Sequence, residues 1–129
     1  MKLRLHDGLL YSSIEITHCG VVKVIENIVI DTGAVETLIS PDIVEDLGIV
    51  AELKDEIKSF YGVGGSLHYF FSKRIDQVNF GNVNLRDFKL DFGVIDPKGE
   101  INGLLGLDLL MEARAIINLK ELTLKFDVS

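Results

Sequence analysis

A chain of 129 residues has room for one hydrophobic core, so an activity that needs two full domains requires a second copy. With 47% hydrophobic and 26% charged residues, and twelve glycines against two prolines, the composition suits a folded globular domain and excludes a disordered one. Thirteen basic against twenty acidic residues give a formal net charge of −7, and the cations are scattered apart from the pair Lys73-Arg74, so no nucleic-acid partner is expected.

The first residues, Met1-Lys2-Leu3-Arg4-Leu5-His6-Asp7-Gly8, contain no apolar export segment, and no apolar run approaches the ~20 residues of a membrane span. The expectation is a soluble, cytoplasmic chain with no membrane partner. Cys19 is the single cysteine, which excludes an internal disulfide and agrees with a reducing compartment.

In chain order, Leu10, Ser12, Ile14 and Ile16 share one face of a first strand, and Thr17-His18-Cys19-Gly20 supplies a turn. Val22, Val24, Ile28 and Ile30 are then expected on one face of a second strand, interrupted at Glu26. Ser40 as N-cap, Pro41 at the first helical position, inward-facing Ile43, Val44 and Leu47, and Gly48 as C-terminal cap predict a short helix at about 41–47. From Leu53 to Ile95 the period of two returns. Within it Tyr61-Gly62-Val63-Gly64-Gly65 forms a hairpin tip, with Leu67, Tyr69 and Phe71 resuming the alternation.

Phe80-Gly81-Asn82-Val83 predicts another turn, Phe88, Leu90, Phe92 and Val94 an alternating strand, and Asp96-Pro97-Lys98-Gly99 its closing turn. Leu107, Leu110, Met111 and Arg114 fall at helical spacing, with Asp108 near the helix start, and the apolar members are assigned to the core. Ile116 to Asp127 reads as a hairpin turning at Lys120-Glu121. Residues 1–129 therefore predict one mostly β domain with one or two short helices and no linker.

Val29-Ile30-Asp31-Thr32-Gly33-Ala34 is the stretch that points to chemistry, because it puts a carboxylate at the end of an apolar strand where glycine leaves space beside it. By itself Asp-Thr-Gly is also ordinary turn chemistry. Asp7-Gly8 lacks the middle residue, and Asp91-Phe92-Gly93 spells a kinase motif without a nucleotide loop, so neither supplies a second such carboxylate. His6, His18 and Cys19 are metal-type donors, but His18 and Cys19 are adjacent and no second ligand pair has suitable spacing, so neither a metal nor a cofactor is expected. His68 reads as a strand surface residue.

Taken together, the apolar pair before Asp31, the Ala34 after Gly33, the glycine-rich tip and Leu104-Leu105-Gly106 entering a helix resemble the retropepsin-like aspartic proteases. Leu104–Leu110 and Ile117-Asn118-Leu119-Lys120 resemble in particular the protease domain of the DNA-damage-inducible ubiquitin-shuttle proteins and small prokaryotic members. The resemblance implies a closed acid-protease barrel lobe and a homodimeric endopeptidase acting on polypeptide. Asp31 would then be the catalytic acid/base, Thr32 a hydrogen-bond link across the two-fold axis, and Gly33 and Ala34 part of the loop beside substrate. Thr37, Gly106 and Asp108 would brace that loop from behind, and Tyr61, Gly62, Val63, Gly64 and Gly65 would form a substrate-binding flap. Retroviral members carry an ion pair where this chain has Val35 and Leu107. Val35, Tyr61, Val63 and Leu107 as candidate walls suggest apolar substrate side chains. The alternative is the same fold used for dimerisation or peptide binding with negligible hydrolysis.

Overall fold

Three strands joined by two tight turns start the chain: β1 (Arg4–His6), β2 (Leu9–His18) and β3 (Val21–Ile30). The fold is taken from a computed structural model that describes residues 1–61, 65, 67–96 and 98–126, with Phe60 and Tyr61 described by their backbone. Cys19 and Gly20 link β2 to β3 with φ of 51° and 81°, the mirror-image turn whose twist suits a hairpin, as the sequence predicts. Asp7 and Gly8, with φ of 49° and 76°, form a turn of the same hand and add the exposed β1, which the pattern of hydrophobic residues had not indicated.

The expected inward face of β3 is corrected by the structure. Val22 and Val24 are exposed, whereas Ile25, Ile28 and Val29 are buried. Asn27 adopts a left-handed φ of 59°, and the pairing with β2 slips between Ser12 and Ile14, so β3 holds one extra residue there. That bulge lets Ile25 and Ile28 face the same core despite their odd spacing.

Further strands follow as β4 (Leu38–Ile39), β5 (Ile57–Tyr61), β6 (Leu67–Phe80), β7 (Val83–Gly93) and β8 (Gly103–Leu105). Among the described residues the sheet order is β1-β2-β3-β8-β4-β7-β6-β5, and a second pairing of β2 with β6 closes six strands into a barrel. β8 lies parallel to β3, while the two-residue β4 lies antiparallel to β8 and parallel to β7. The interior is filled by side chains such as Ile14, Ile16, Ile25, Ile39, Phe80 and Leu90, and Phe71 stacks on Phe92 at 5.4 Å. The mostly β, closed-barrel expectation stands.

The helix expected at 41–47 appears as α1 (Pro41–Val44) continued by a 3-10 turn over Glu45–Leu47, ended by Gly48 at φ 77°. Ser40 occupies the N-cap, but its hydroxyl makes no capping bond. No β structure runs from Leu53 to Glu56, since β5 starts at Ile57 and Leu53 is exposed. β7 ends at Gly93, leaving Val94 outside the strand and half exposed. Asp96 folds the chain back by accepting bonds from the N–H groups of Lys98, Glu100 and Ile101.

α2 (Leu107–Glu112) is followed by β9 (Ala115–Asn118) and β10 (Thr123–Phe126), a two-stranded ribbon outside the barrel sheet. Asn118 Oδ1 accepts from the N–H groups of Lys120 and Glu121, which fixes the predicted turn. In α2 the buried residues are Leu109 and Leu110, followed by Ala113, while Met111 is 71% exposed. Assigning Met111 to the core was therefore wrong. No helix of the described residues is long and apolar enough to cross a membrane.

Candidate active site

At the end of β3 the chain keeps pairing with β8 for one more residue, since the Asp31 N–H donates to the Leu105 carbonyl at 3.0 Å. It then turns sharply. Ala34 N–H donates to the Asp31 carbonyl at 3.2 Å, and Gly33 N–H donates to Asp31 Oδ1 at 3.0 Å. A Cβ on Gly33 would lie 3.2 Å from that same oxygen, so glycine here keeps room beside the carboxylate. Asp31 is half-buried, and Thr32 and Gly33, inside the turn, are exposed.

The far side of the loop is tied to the start of α2. Leu107 N–H donates to the Ala34 carbonyl at 2.8 Å and Asp108 N–H to the Val35 carbonyl at 3.1 Å. Thr37, fully buried, uses both capacities of its hydroxyl: Oγ1 donates to Asp108 Oδ1 at 2.7 Å and accepts from the Gly106 N–H at 3.0 Å. Asp108 Oδ1 also accepts from the N–H groups of Thr37 and Leu109 at 3.0 and 2.7 Å. Gly106 must be glycine for reasons of space, because a Cβ there would sit 2.6 Å from the Glu36 carbonyl carbon and 2.7 Å from its oxygen. Hydrogen bonds thus bring Asp31, Gly33, Ala34, Thr37, Gly106 and Asp108 together from two stretches of sequence, with Thr32 carried in the same turn.

Of the glycine-rich tip, Gly62, Val63 and Gly64 lie outside the described residues. Tyr61 ends β5 opposite Leu67 of the antiparallel β6, and Gly65 has φ of 82°. Beside the Asp31 loop an open groove of about 370 Å³ is walled by Ala34, Val35, Leu38, Phe70 and Leu104, with Glu36 and Asp91 as its acids. The parallel pairing of β4 with β7 sets Asp91 opposite Leu38, and the Asp91 N–H donates to the Thr37 carbonyl at 3.3 Å. Ser72 Oγ donates to Asp91 Oδ1 at 2.6 Å. Lys89 Nζ lies 3.4 Å from a Glu36 oxygen and 3.8 Å from Asp91. Burial and the neighbouring Glu36 carboxyl push Asp91 up to about 6, whereas its contact with Asp91 and the Lys89 ammonium hold Glu36 below the usual carboxylate range.

A family model described as aspartyl protease matches residues 14–109. The chain belongs to the aspartyl protease family. Among solved structures it is similar to a retropepsin-like aspartic protease from Rickettsia conorii, with 21% identity, a TM-score of 0.68, and coverage of 95% of this chain and 86% of that one. The retroviral protease-like domain of Ddi1 from Leishmania major is 18% identical, with a TM-score of 0.62 over 94% of this chain and 90% of that one. EIAV protease in complex with an inhibitor is 17% identical, with a TM-score of 0.60 over 84% and 91% respectively. These likenesses establish the retropepsin-like fold. No curated protein sequence matches the chain.

In this aspartyl protease family member, a second depression opens beside Thr32, lined by Leu107, Leu110, Met111, Arg114 and Ile117. Leu107 therefore belongs to this surface, while Val35, 76% exposed, belongs to the groove. The sequence reading of purely apolar walls missed Glu36 and Asp91. Glu36 carries no sequence signal beyond its closeness to Asp31, and Asp91 stands out in the sequence only as part of a kinase-like tripeptide. The barrel seam also brings Asp76 of β6 to the β2–β3 turn, so that His18, Cys19 and Asp76 have donor atoms within 4.8 Å of one another. Asp76 already accepts the Cys19 N–H at 2.8 Å. This cluster lies at the opposite end of β3 from Asp31, roughly 30 Å along the strand.

Proposed function

We propose that the chain is an aspartic endopeptidase whose catalytic dyad is a pair of Asp31 carboxylates, one from each subunit of a homodimer. The observation that carries this reading is the Asp31 turn itself. Its carboxylate accepts the Gly33 N–H in a turn where Thr32 and Gly33 are exposed, while Leu105 and Leu107 tie the backbone on both sides. One Asp-Thr-Gly occurs in the sequence, so a two-carboxylate site draws its second member from another copy. The exposed apolar side chain of Met111, in the depression beside Thr32, supports a subunit contact there.

Two carboxylates held close together do not both ionise at ordinary cost, so the pair shares one proton and titrates as a unit. The ionised member takes a proton from water as the water attacks the scissile carbonyl, and the protonated member donates to the carbonyl oxygen. No covalent acyl-enzyme forms. Thr32 links the two loops across the axis, Gly33 makes room for the substrate backbone, and Thr37, Gly106 and Asp108 hold the loop from behind. An extended peptide pairs through its main chain, as in strand addition. A cytoplasmic setting completes the reading, supported by a fold that uses no disulfide.

The test is cleavage of a diverse peptide library between pH 3.5 and 7, read by mass spectrometry beside sedimentation velocity. Cleavage by the wild type, its loss in Asp31→Asn and an unchanged dimer are expected. A strict monomer removes the dyad. A dimer that binds peptides without cutting them favours the binding-module alternative.

A further inference from the structure

We propose that the groove beside the Asp31 loop is a side-chain subsite that selects a lysine or arginine of the bound polypeptide, recognised by the paired carboxyls of Glu36 and Asp91. The inference rests on the reading of Asp31 as the cleavage site for its choice of occupant, a peptide. Ala34, Val35 and Glu36 follow the Asp31 turn directly, so no more than about 10 Å of chain separates the carboxylate from the first wall residue. An extended peptide passing Asp31 projects alternate side chains to this side at that scale.

The groove is built in two parts. Leu38, Phe70 and Leu104 offer apolar wall to a methylene stem, and Glu36 and Asp91 line the same groove. Asp91 is 5% exposed, anchored by the Ser72 hydroxyl on Oδ1 and by its own N–H on Thr37. Glu36 is more exposed and stands beside it. The facing cation is Lys89, near both carboxyls, with Lys58 acting on Glu36 from further away. Two carboxylates against the one adjacent ammonium leave a negative charge in excess when both are ionised.

Charge and solvation then rank the occupants. A purely aliphatic side chain would cover two carboxyls and cut them off from water while supplying no donor. An acidic side chain would add a third carboxylate. The ammonium of lysine or the guanidinium of arginine supplies donors and compensating charge while its stem packs on Leu38 and Leu104. Glu36 is held below the usual carboxylate range, but Asp91, raised to about 6, changes state between pH 5 and 7. A cation favours ionised Asp91, so its affinity rises with pH across that interval, by up to about tenfold if only the ionised form accepts it.

Fluorescence anisotropy on the full chain carrying Asp31→Asn tests this with labelled octapeptides that differ at one scanned position: Lys, Arg, norleucine or Glu. At one position, Lys and Arg are expected to bind at least tenfold more tightly than norleucine at pH 7, with Glu weakest, and the Lys advantage is expected to shrink at pH 5. Adding Asp91→Asn should remove the pH dependence and most of the Lys advantage while norleucine binding survives, and Glu36→Gln, on the rim, should reduce the advantage without removing its pH dependence. No peptide binding, Lys equal to norleucine throughout, or a Lys advantage untouched by Asp91→Asn would each overturn the subsite. Cleavage of the same peptides by the wild type reports separately on the protease reading: selective binding without cleavage sinks that reading alone, and cleavage without selectivity sinks the subsite alone.

Discussion

Replacing Thr37 with valine keeps the volume of the side chain and deletes the hydroxyl that joins the Asp31 loop to α2. In the fully buried wild-type side chain, Oγ1 donates to Asp108 Oδ1 at 2.7 Å and accepts from the Gly106 N–H at 3.0 Å. Valine leaves the Gly106 N–H without an acceptor in a buried place, at a cost of about 1–3 kcal/mol. It also removes a charge-assisted bond of about 1.5–3 kcal/mol, and the low end applies because Asp108 Oδ1 keeps the N–H groups of Thr37 and Leu109. The expected loss is about 3–4 kcal/mol, a large share of the ~5–15 kcal/mol typical of a domain. Urea unfolding by circular dichroism at fixed protomer concentration measures it, with Thr37→Ser as control. Serine keeps both bonds and loses one methyl, so about 1 kcal/mol is expected. A Thr37→Val protein within 1 kcal/mol of wild type, or no less stable than Thr37→Ser, would refute the brace.

Gly106→Ala drives a Cβ into the Glu36 carbonyl at 2.6–2.7 Å, where backbone must move, so a loss of at least ~2 kcal/mol in the same unfolding experiment is expected. Asp91 has a folded-state pKa raised to about 6, so between pH 4 and 6 the native state binds more protons than the unfolded chain and the stability contributed by this residue falls as pH rises. Asp91→Asn should therefore be more stable than wild type at pH 7, by at most about 3 kcal/mol, and no more stable at pH 4; an advantage independent of pH would contradict the assignment. Met111→Glu puts a charge on an exposed apolar side chain beside Thr32, so sedimentation velocity should show a weakened dimer with unchanged circular dichroism. An unaffected dimer would place the subunit contact elsewhere.

How far the sequence speaks for this fold depends on the range over which each feature is decided. The turns at Cys19-Gly20, Gly48 and Gly81-Asn82 were legible because left-handed backbone admits few residue types. The bulge at Asn27 was not, since an asparagine inside an alternating strand looks like one more solvent-facing residue, and only the slip against β2 reveals that Ile25 rather than Val24 turns inward. In α2 a six-residue helix offers several apolar stripes of similar quality. Contact with the barrel buries Leu109 and Leu110 and leaves Met111 outside.

The same distinction divides the site. Asp31, Thr32 and Gly33 form one local turn, and Thr37, Gly106 and Asp108 were reachable through the resemblance to the retropepsin-like proteases. Glu36 and Asp91 belong to different halves of the chain and meet because β4 runs parallel to β7 with Leu38 opposite Asp91. A parallel pairing has no hairpin to announce its register. Alternation also misleads at this point, because Leu90, Asp91, Phe92 and Gly93 are all buried, so β7 is covered on both faces and parity no longer separates core from surface. A carboxyl retained in such a place raises its own pKa and is costly to keep charged, which sets it apart from the solvated acids that give the chain its net charge.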